Sequence, residues 1–105
     1  MYSKFFKLIE KVIEGLENGK LVADKDGVKI ENYKVNAEED AALVGEYTLS
    51  ISCYRGDSIF IVTSEYPELK QPVKNLRDAI EAAKVRDIEE KIITPILNIL
   101  EKLGE

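Results

Sequence analysis

The alternation of apolar and polar residues between positions 46 and 64 is the feature that most constrains how this chain folds. Up to Cys53 the odd-numbered residues are apolar, and the even-numbered residues from Thr48 onward are Thr or Ser. This two-residue period is typical of a strand buried on one face. Residues 55–58, with the sequence RGDS, interrupt the pattern, and β-branched and aromatic residues return from Ile59. The stretch therefore predicts a β-hairpin.

The predicted register of this hairpin follows from its turn. If Gly56 and Asp57 form a two-residue loop, glycine occupies the first position, as a type II′ turn favours. Counting outward, the core face pairs Cys53 with Phe60, Ile51 with Val62 and Leu49 with Ser64. The other face pairs Tyr54 with Ile59 and Ser52 with Ile61. The candidate residues of this second face, which either lies under a helix or binds a partner, are Ser50, Ser52, Tyr54, Ile59 and Ile61.

The composition indicates one globular domain. The chain has 105 residues, of which 45% are hydrophobic and 33% charged, proportions typical of a folded domain. The net charge of −5 argues against general nucleic-acid binding, because phosphate recognition needs a local excess of Lys and Arg. No secretory signal or membrane span is evident, and the single Cys cannot form an internal disulfide. We expect a cytoplasmic protein. The scarcity of Gln and Met favours a thermophile-like composition.

The first helix is predicted over residues 3–18, with Gly19 at its C-terminal end. Its apolar residues share one broad face: Phe5, Phe6, Leu8, Ile9, Val12, Ile13 and Leu16. Lys4, Lys7 and Lys11 lie on the opposite face. These lysines are a candidate nucleic-acid surface, but neighbouring Glu residues favour a solvated face.

Two strands and an ambiguous segment precede the hairpin. Residues 20–24 and 28–35 read as strands joined at an Asp-Gly turn. The second strand either bulges or ends near Glu31 and Asn32. Residues 36–40 favour a turn or one helical turn, followed by a strand from about Leu43. Alternatively, the alternation of the hairpin strand extends back to about Ala41.

Two helices are predicted after the hairpin. Pro72 suits the first turn of a helix that ends near Lys84. The apolar phase breaks at residues 85–87, where a second helix begins and runs to about Leu103. Because Pro95 lies inside this second helix, we expect a kink or loosened hydrogen bonding near Lys91.

The last helix is apolar over roughly half of its circumference, which exceeds the stripe of about 100° that a surface helix needs to reach its core. A helix this broad on its apolar side is expected to contact both its own fold and a second chain. The candidate homodimer interface is therefore Ile92, Ile93, Ile96, Leu97, Leu100 and Leu103. The alternative is a monomer in which the other helices cover both sides.

No residues typical of catalysis or cofactor binding stand out. The chain lacks His, which excludes an imidazole base and a His metal ligand. Cys53 is predicted to be a small core residue rather than a nucleophile. Motifs for phosphate binding, dinucleotide binding and serine hydrolysis are absent. We predict no catalytic residue, no cofactor and no metal site.

The elements together predict an α+β fold with one N-terminal helix, a four-stranded antiparallel meander sheet and two C-terminal helices packed on one face. The layout is similar to that of small dimeric adaptor and secretion-chaperone-like folds, a likeness that says little about function. The leading hypothesis is a non-enzymatic protein-interaction domain, adaptor-like or chaperone-like, that forms a homodimer and binds another protein.

Three alternative functions stay open. The first is a small-molecule-binding or enzymatic domain with a pocket between sheet and helices, lined by Tyr33, Tyr47 and Tyr54. The second is nucleic-acid binding through the three lysines of the first helix. The third is an acidic surface that mimics nucleic acid, which only the net charge supports.

Overall fold

The structure, a computed structural model, describes residues 3–40, 46–53 and 56–104. Within these ranges the chain forms helix α1 (Ser3–Glu17), five strands, a 3-10 turn (Pro67–Leu69) and a long helical rod. The strands are β1 (Ala23–Asp24), β2 (Gly27–Ile30), β3 (Tyr33–Asp40), β4 (Glu46–Cys53) and β5 (Ser58–Val62). The predicted α+β class is confirmed.

The strands form one antiparallel sheet in the order β1-β2-β3-β4-β5. The predicted number of four strands is wrong, because residues 28–35 contain two strands rather than one. The chain reverses at Glu31 and Asn32, where Glu31 has a φ of 52°, and Ile30 pairs with Tyr33. Two-residue hairpins need such positive φ angles. The alternative that the predicted strand ends at this point is confirmed.

Strand β3 runs on to Asp40, which pairs with Glu46 of β4. The turn or helical turn favoured for residues 36–40 is therefore wrong. Val35 and Ala37 are buried whereas Asn36 is only half-buried, which is the alternation of a strand with one face in the core. The predicted strand start at Leu43 and its alternative at Ala41 lie outside the described residues.

The hairpin between β4 and β5 is confirmed, but its predicted register is wrong. Leu49 pairs with Ile61, and Ser50 pairs with Phe60. The reason is the loop: the Cys53 N–H donates to the Asp57 carbonyl oxygen at 2.8 Å, so three residues rather than two separate the closing pair. With a three-residue loop, odd-numbered residues of β4 pair with odd-numbered residues of β5. The observed register therefore differs from the predicted one by an odd number of residues, and such a shift moves every side chain of β5 to the other face of the sheet.

Two consequences follow for the residues of β5. Ile61 is 5% exposed and lies in the core, whereas Phe60 is 68% exposed. It is therefore wrong that Phe60 and Val62 belong to the core face, and wrong that Ile61 lies on the opposite face. Three-residue hairpin loops commonly place glycine at a positive φ before the second strand, and Gly56 has a φ of 108°.

Helices α1 and α2 (Lys70–Ile88) pack together, and the core lies between them and one face of the sheet. The sheet contributes Ala23, Val28, Val35, Ala37, Leu49 and Ile61; the helices and the 3-10 turn contribute Ile9, Val12, Leu16, Leu69, Val73, Leu76 and Ile80. Thr63 is the buried polar residue at the end of β5, and its hydroxyl accepts a hydrogen bond from the Tyr47 N–H at 3.1 Å. This bond prevents an unsatisfied polar group in the core.

The two predicted C-terminal helices are one continuous rod in the structure. Helix α2 passes into a π-helical turn (Glu89–Ile93) and then into α3 (Thr94–Leu103) without a break. The predicted start of a new helix at residues 85–87 is wrong. The predicted effect of Pro95 is confirmed: because proline lacks an N–H and clashes with the carbonyl four residues earlier, the ladder widens around Lys91. The Thr94 N–H donates to the Glu89 carbonyl oxygen, five residues back.

Candidate interaction surfaces

The first surface is the face of the sheet that points away from the helices, here called the open face. Along β4 and β5 it carries the side chains of Thr48, Ser50, Ser52, Ser58, Phe60 and Val62. Two predicted candidates, Ser50 and Ser52, lie on it and are half-buried by their neighbours. Ile59 is exposed, but it lies on the helix side of the sheet beside Ile51. Tyr54 lies outside the described residues.

Strand β5 is also an edge of the sheet, and one row of its backbone groups faces away from β4. At one end of the ladder the Cys53 N–H donates a hydrogen bond to the Asp57 carbonyl oxygen, and at the other end the Thr63 N–H donates to the Tyr47 carbonyl oxygen at 3.0 Å. Since the hydrogen-bonding pairs of an antiparallel ladder alternate, the odd-numbered residues of β5 bond to β4. The N–H and C=O groups of Ser58 and Phe60 and the N–H of Val62 therefore point outward, whereas the Val62 carbonyl oxygen accepts a hydrogen bond from the Glu65 N–H at 3.1 Å.

This edge lacks the features that usually prevent pairing with other chains. Edge strands are commonly protected by charges, proline, bulges or shortness. Strand β1, at the other edge, is two residues long, whereas β5 is the uncharged segment Ser-Ile-Phe-Ile-Val. Sequence reasoning missed this edge because the wrong register placed Phe60 in the core. The loop length is the signal that decides the register.

The second surface is the part of the helical rod that leaves the core, here called the arm (residues 85–103). All its residues are exposed except Asp87, which is half-buried, and none belongs to the described hydrophobic core. The six predicted interface residues are all solvent-exposed: Ile92 52%, Ile93 44%, Ile96 48%, Leu97 50%, Leu100 55% and Leu103 78%. Val85, Ile88 and Ile99, which that prediction left out, are also at least half exposed.

The apolar side of the arm does not continue the side of α2 that faces the core. Ile80 is the last fully buried residue of α2. Val85 follows five residues later, which at 3.6 residues per turn places it about 140° further round the axis. The rod therefore presents one face to its own sheet and then a different face to solvent. The last predicted helix was expected to contact its own fold as well as a second chain, and the first part of that expectation is wrong, because none of its described apolar side chains packs against the core.

Polar contacts fix the rod where the arm begins. The Arg86 guanidinium donates from Nη2 to the carbonyl oxygen of Leu16 at 2.9 Å, at the C-terminal end of α1, where a cation is favoured by the helix dipole. One helical turn further on, Lys91 Nζ lies 2.9 Å from Asp87 Oδ1. The hydrogen bond and the negative charge of Asp87 raise the pKa of Lys91 above its ordinary value.

Of the three tyrosines proposed to line a small-molecule pocket, Tyr33 and Tyr47 lie apart, and Tyr54 lies outside the described residues. Tyr47 lines a shallow groove of about 440 Å³ together with Pro67 and Lys74, whereas Tyr33 is 52% exposed on the strand that pairs with the end of β4. Cys53, predicted as a core residue, is half-buried opposite Tyr33.

The candidate charged sites are dispersed. Lys4, Lys7 and Lys11 are exposed on α1, and Lys11 Nζ lies 3.6 Å from a carboxylate oxygen of Glu14. Glu39 lies 4.0 Å from the guanidinium of Arg77. The described ranges contain no group of three or more Cys, Asp or Glu side chains arranged to hold a metal ion. Among the helices that the structure describes, none combines the length and apolar character of a membrane span.

Comparison with protein-family models, with curated proteins and with solved structures finds no significant match to this chain.

Proposed function

We propose that this chain is a non-enzymatic protein-interaction domain that forms a homodimer through its arm and binds a protein partner at the β5 edge. The observation that carries the proposal is the arm itself, a helix of exposed isoleucine and leucine residues that its own fold does not cover. From residue 85 to residue 103 the apolar surface is about 27 Å long, at about 1.5 Å per residue. Exposed apolar surfaces of this extent mark interaction sites in folded proteins.

The free energy available from burying the arm is of the same size as the cost of forming a dimer. Full burial of a leucine or isoleucine is worth about 1.5–3 kcal/mol, so a half-exposed side chain still offers about 1 kcal/mol. Six such residues in each copy offer about 12 kcal/mol per dimer, against an association cost of about 4–15 kcal/mol. If association costs about 4 kcal/mol, the lower limit of this range, about 8 kcal/mol remains, which corresponds to a micromolar dissociation constant.

The second copy is the occupant that best fits the arm. An apolar helix face of this kind is self-complementary, because a two-fold axis presents the same residues to one another. Most helical stability in proteins comes from packing of an apolar face, and pairing with a second arm supplies packing that the described residues of its own fold do not give the arm.

The β5 edge suits an extended segment of a partner protein. The outward N–H and C=O groups of Ser58 and Phe60 and the N–H of Val62 offer hydrogen bonds to an added strand, which is the binding mode of β-augmentation. The exposed Phe60 ring on the open face and Ile59 on the other face lie next to the positions that side chains of the added strand would occupy. A partner segment with apolar residues at alternate positions fits this edge on both faces.

The test of the dimer is the mass of the protein in solution. Sedimentation equilibrium or light scattering of the wild-type chain at about 1–200 μM should give twice the monomer mass with a dissociation constant of about 10 μM or below. Leu100→Glu should yield a monomer, because the dimer would bury two unpaired carboxylates. Asn98→Glu, on the far side of α3, adds the same charge and should leave the dimer intact. A wild-type monomer at 200 μM would refute the proposal.

The test of the edge uses Phe60→Lys, because lysine on an edge strand opposes the addition of another strand. A designed extended peptide with alternating valines should bind to the wild-type protein and protect the Phe60 and Val62 amides from hydrogen exchange. The Phe60→Lys variant should lose most of this protection, whereas Lys74→Glu, on α2, should keep it. Equal protection in both variants would place the peptide elsewhere.

A further inference from the structure

We infer that the two arms of the dimer pair in antiparallel orientation, with the two-fold axis at the π turn. The inference rests on the dimer proposed above and adds its orientation and register. It starts from a backbone feature: the Thr94 N–H bonds to a carbonyl five residues back instead of four. The π turn therefore accommodates one extra residue. Beyond it, every side chain is set back by about 100° relative to an unbroken α-helix.

This offset selects the residues that line up along the arm. Before the π turn, Val85 and Ile88 share a face, and Ile92 within the turn extends it. After the turn, the residues on the same face are Ile96, Leu100 and Leu103. We call these six residues the seam: Val85, Ile88, Ile92, Ile96, Leu100 and Leu103. Ile99 falls about a quarter turn away from the centre of the seam.

The spacing of the seam reads the same in both directions. Successive members are 3, 4, 4, 4 and 3 residues apart, so the pattern is symmetric about Thr94, the residue that follows the π turn. An antiparallel pair related by a two-fold axis needs this symmetry, because each contact occurs twice. The resulting layers pair Val85 with the partner's Leu103, Ile88 with the partner's Leu100 and Ile92 with the partner's Ile96.

A parallel pair meets a charge conflict that the antiparallel pair avoids. On α2, the seam face continues backward from Val85 to the exposed residues Glu81 and Asp78. Their carboxylates lie 3.7 Å from Lys84 Nζ and 4.0 Å from Arg77 Nη1, contacts that offset only part of the repulsion between two copies. A parallel pair of straight rods brings each of these acids opposite its own copy, and such like-charge contacts are unfavourable at an interface. In the antiparallel pair the seam ends at the layer of Val85 and the partner's Leu103, so neither acid faces its own copy, and the two globular bodies lie at opposite ends.

The test is disulfide cross-linking of full-length chains in a Cys53→Ser background, which removes the natural thiol. Val85→Cys and Leu103→Cys chains are prepared separately, mixed and oxidised, with light scattering on every sample. The antiparallel pair predicts abundant cross-linking in the mixture and only background cross-linking when either chain is oxidised alone, since cysteines bond when their Cβ atoms lie about 4 Å apart. Asn98→Cys, which lies off the seam, is the matched control and should not cross-link.

The outcomes separate this inference from the dimer itself. If Leu103→Cys alone cross-links as well as the mixture while scattering reports a dimer, the arms are parallel and the antiparallel orientation is refuted. If scattering reports a dimer and no combination cross-links, the seam is refuted as the contact. If the Cys53→Ser protein is a monomer at 200 μM, the proposed homodimer fails and the orientation fails with it.

Discussion

The role of Pro95 is the sharpest test of the seam, because a single substitution should exchange the importance of two neighbouring residues. Pro95→Ala restores the missing N–H and removes the clash with the preceding turn, so the rod should become a regular α-helix. The side chains after residue 93 then advance by about 100°. Ile99 enters the seam and Leu100 leaves it.

The size of the effect follows from the exposure of the two side chains. Leu100 is 55% exposed and Ile99 60% exposed in the single chain, so burial of either one in an interface is worth about 1 kcal/mol per copy. With Pro95 present, Leu100→Ala should cost about 2 kcal/mol per dimer, a roughly 30-fold weaker dissociation constant. Ile99→Ala should change it less than about threefold.

In the Pro95→Ala background the two values should be exchanged, giving a coupling of about 2 kcal/mol between positions 95 and 100 in a double-mutant cycle. Sedimentation equilibrium measures the dissociation constants, and far-ultraviolet circular dichroism checks that all variants keep their helix. Equal losses for Leu100→Ala and Ile99→Ala in both backgrounds would refute the reasoning that the π turn sets the phase of the seam.

The remaining predictions concern the body of the protein. In the free protein, hydrogen exchange on β5 should alternate, with slow amides at Ile59 and Ile61 and fast amides at Phe60 and Val62; uniform protection would mean that the edge is already paired. Ile61→Ala should lower the free energy of unfolding by about 2–5 kcal/mol, whereas Phe60→Ala should change it by less than about 1 kcal/mol; chemical denaturation measures both, and the reverse order would support the register predicted from the sequence. Asp87→Asn should lower the pKa of Lys91, which Asp87 raises, and NMR titration of the lysine side chain measures the change. Because the pKa of Lys91 is raised in the folded chain, the ion pair stabilises the rod below the pKa of a free lysine, and this contribution should disappear as the pH rises through the raised pKa.

The sequence predicted the helices and strands of this fold well, but it predicted poorly how neighbouring elements align with one another. The period of the apolar residues identified α1, the hairpin and the helices, because burial on one face imposes that period directly. The register of the hairpin depended on whether two or three residues form its loop. Gly56 is compatible with both loops, so the turn residue does not distinguish the two registers. The helix side of the sheet takes Ile61 next to Leu49, a pairing of two large apolar residues that no local turn preference reveals.

The apolar excess of the arm is visible in the sequence, whereas the surface of the sheet is not, for a physical reason. A helix that is too apolar for its own core shows its excess in composition alone, so all six predicted arm residues lie in solvent in the structure. The β5 edge has no such signature. Whether the Phe60 side chain lies in the core or on the surface depends on whether the hairpin loop has two or three residues. Whether a strand is central or at an edge depends on the order of strands in space.

The arm shows where sequence periodicity stops being decisive. An unbroken α-helix would align Val85, Ile88 and Ile92 with Ile96, Ile99 and Leu103, a pattern with the ordinary period of 3.6 residues. The π turn instead aligns the first three with Ile96, Leu100 and Leu103. Both sets are fully apolar, so hydrophobicity cannot choose between them. Only the second set is symmetric about its centre, and only the backbone around Pro95 selects it. In the proposed dimer, the proline therefore acts less as a helix breaker than as the residue that decides which apolar side chains would face the second copy.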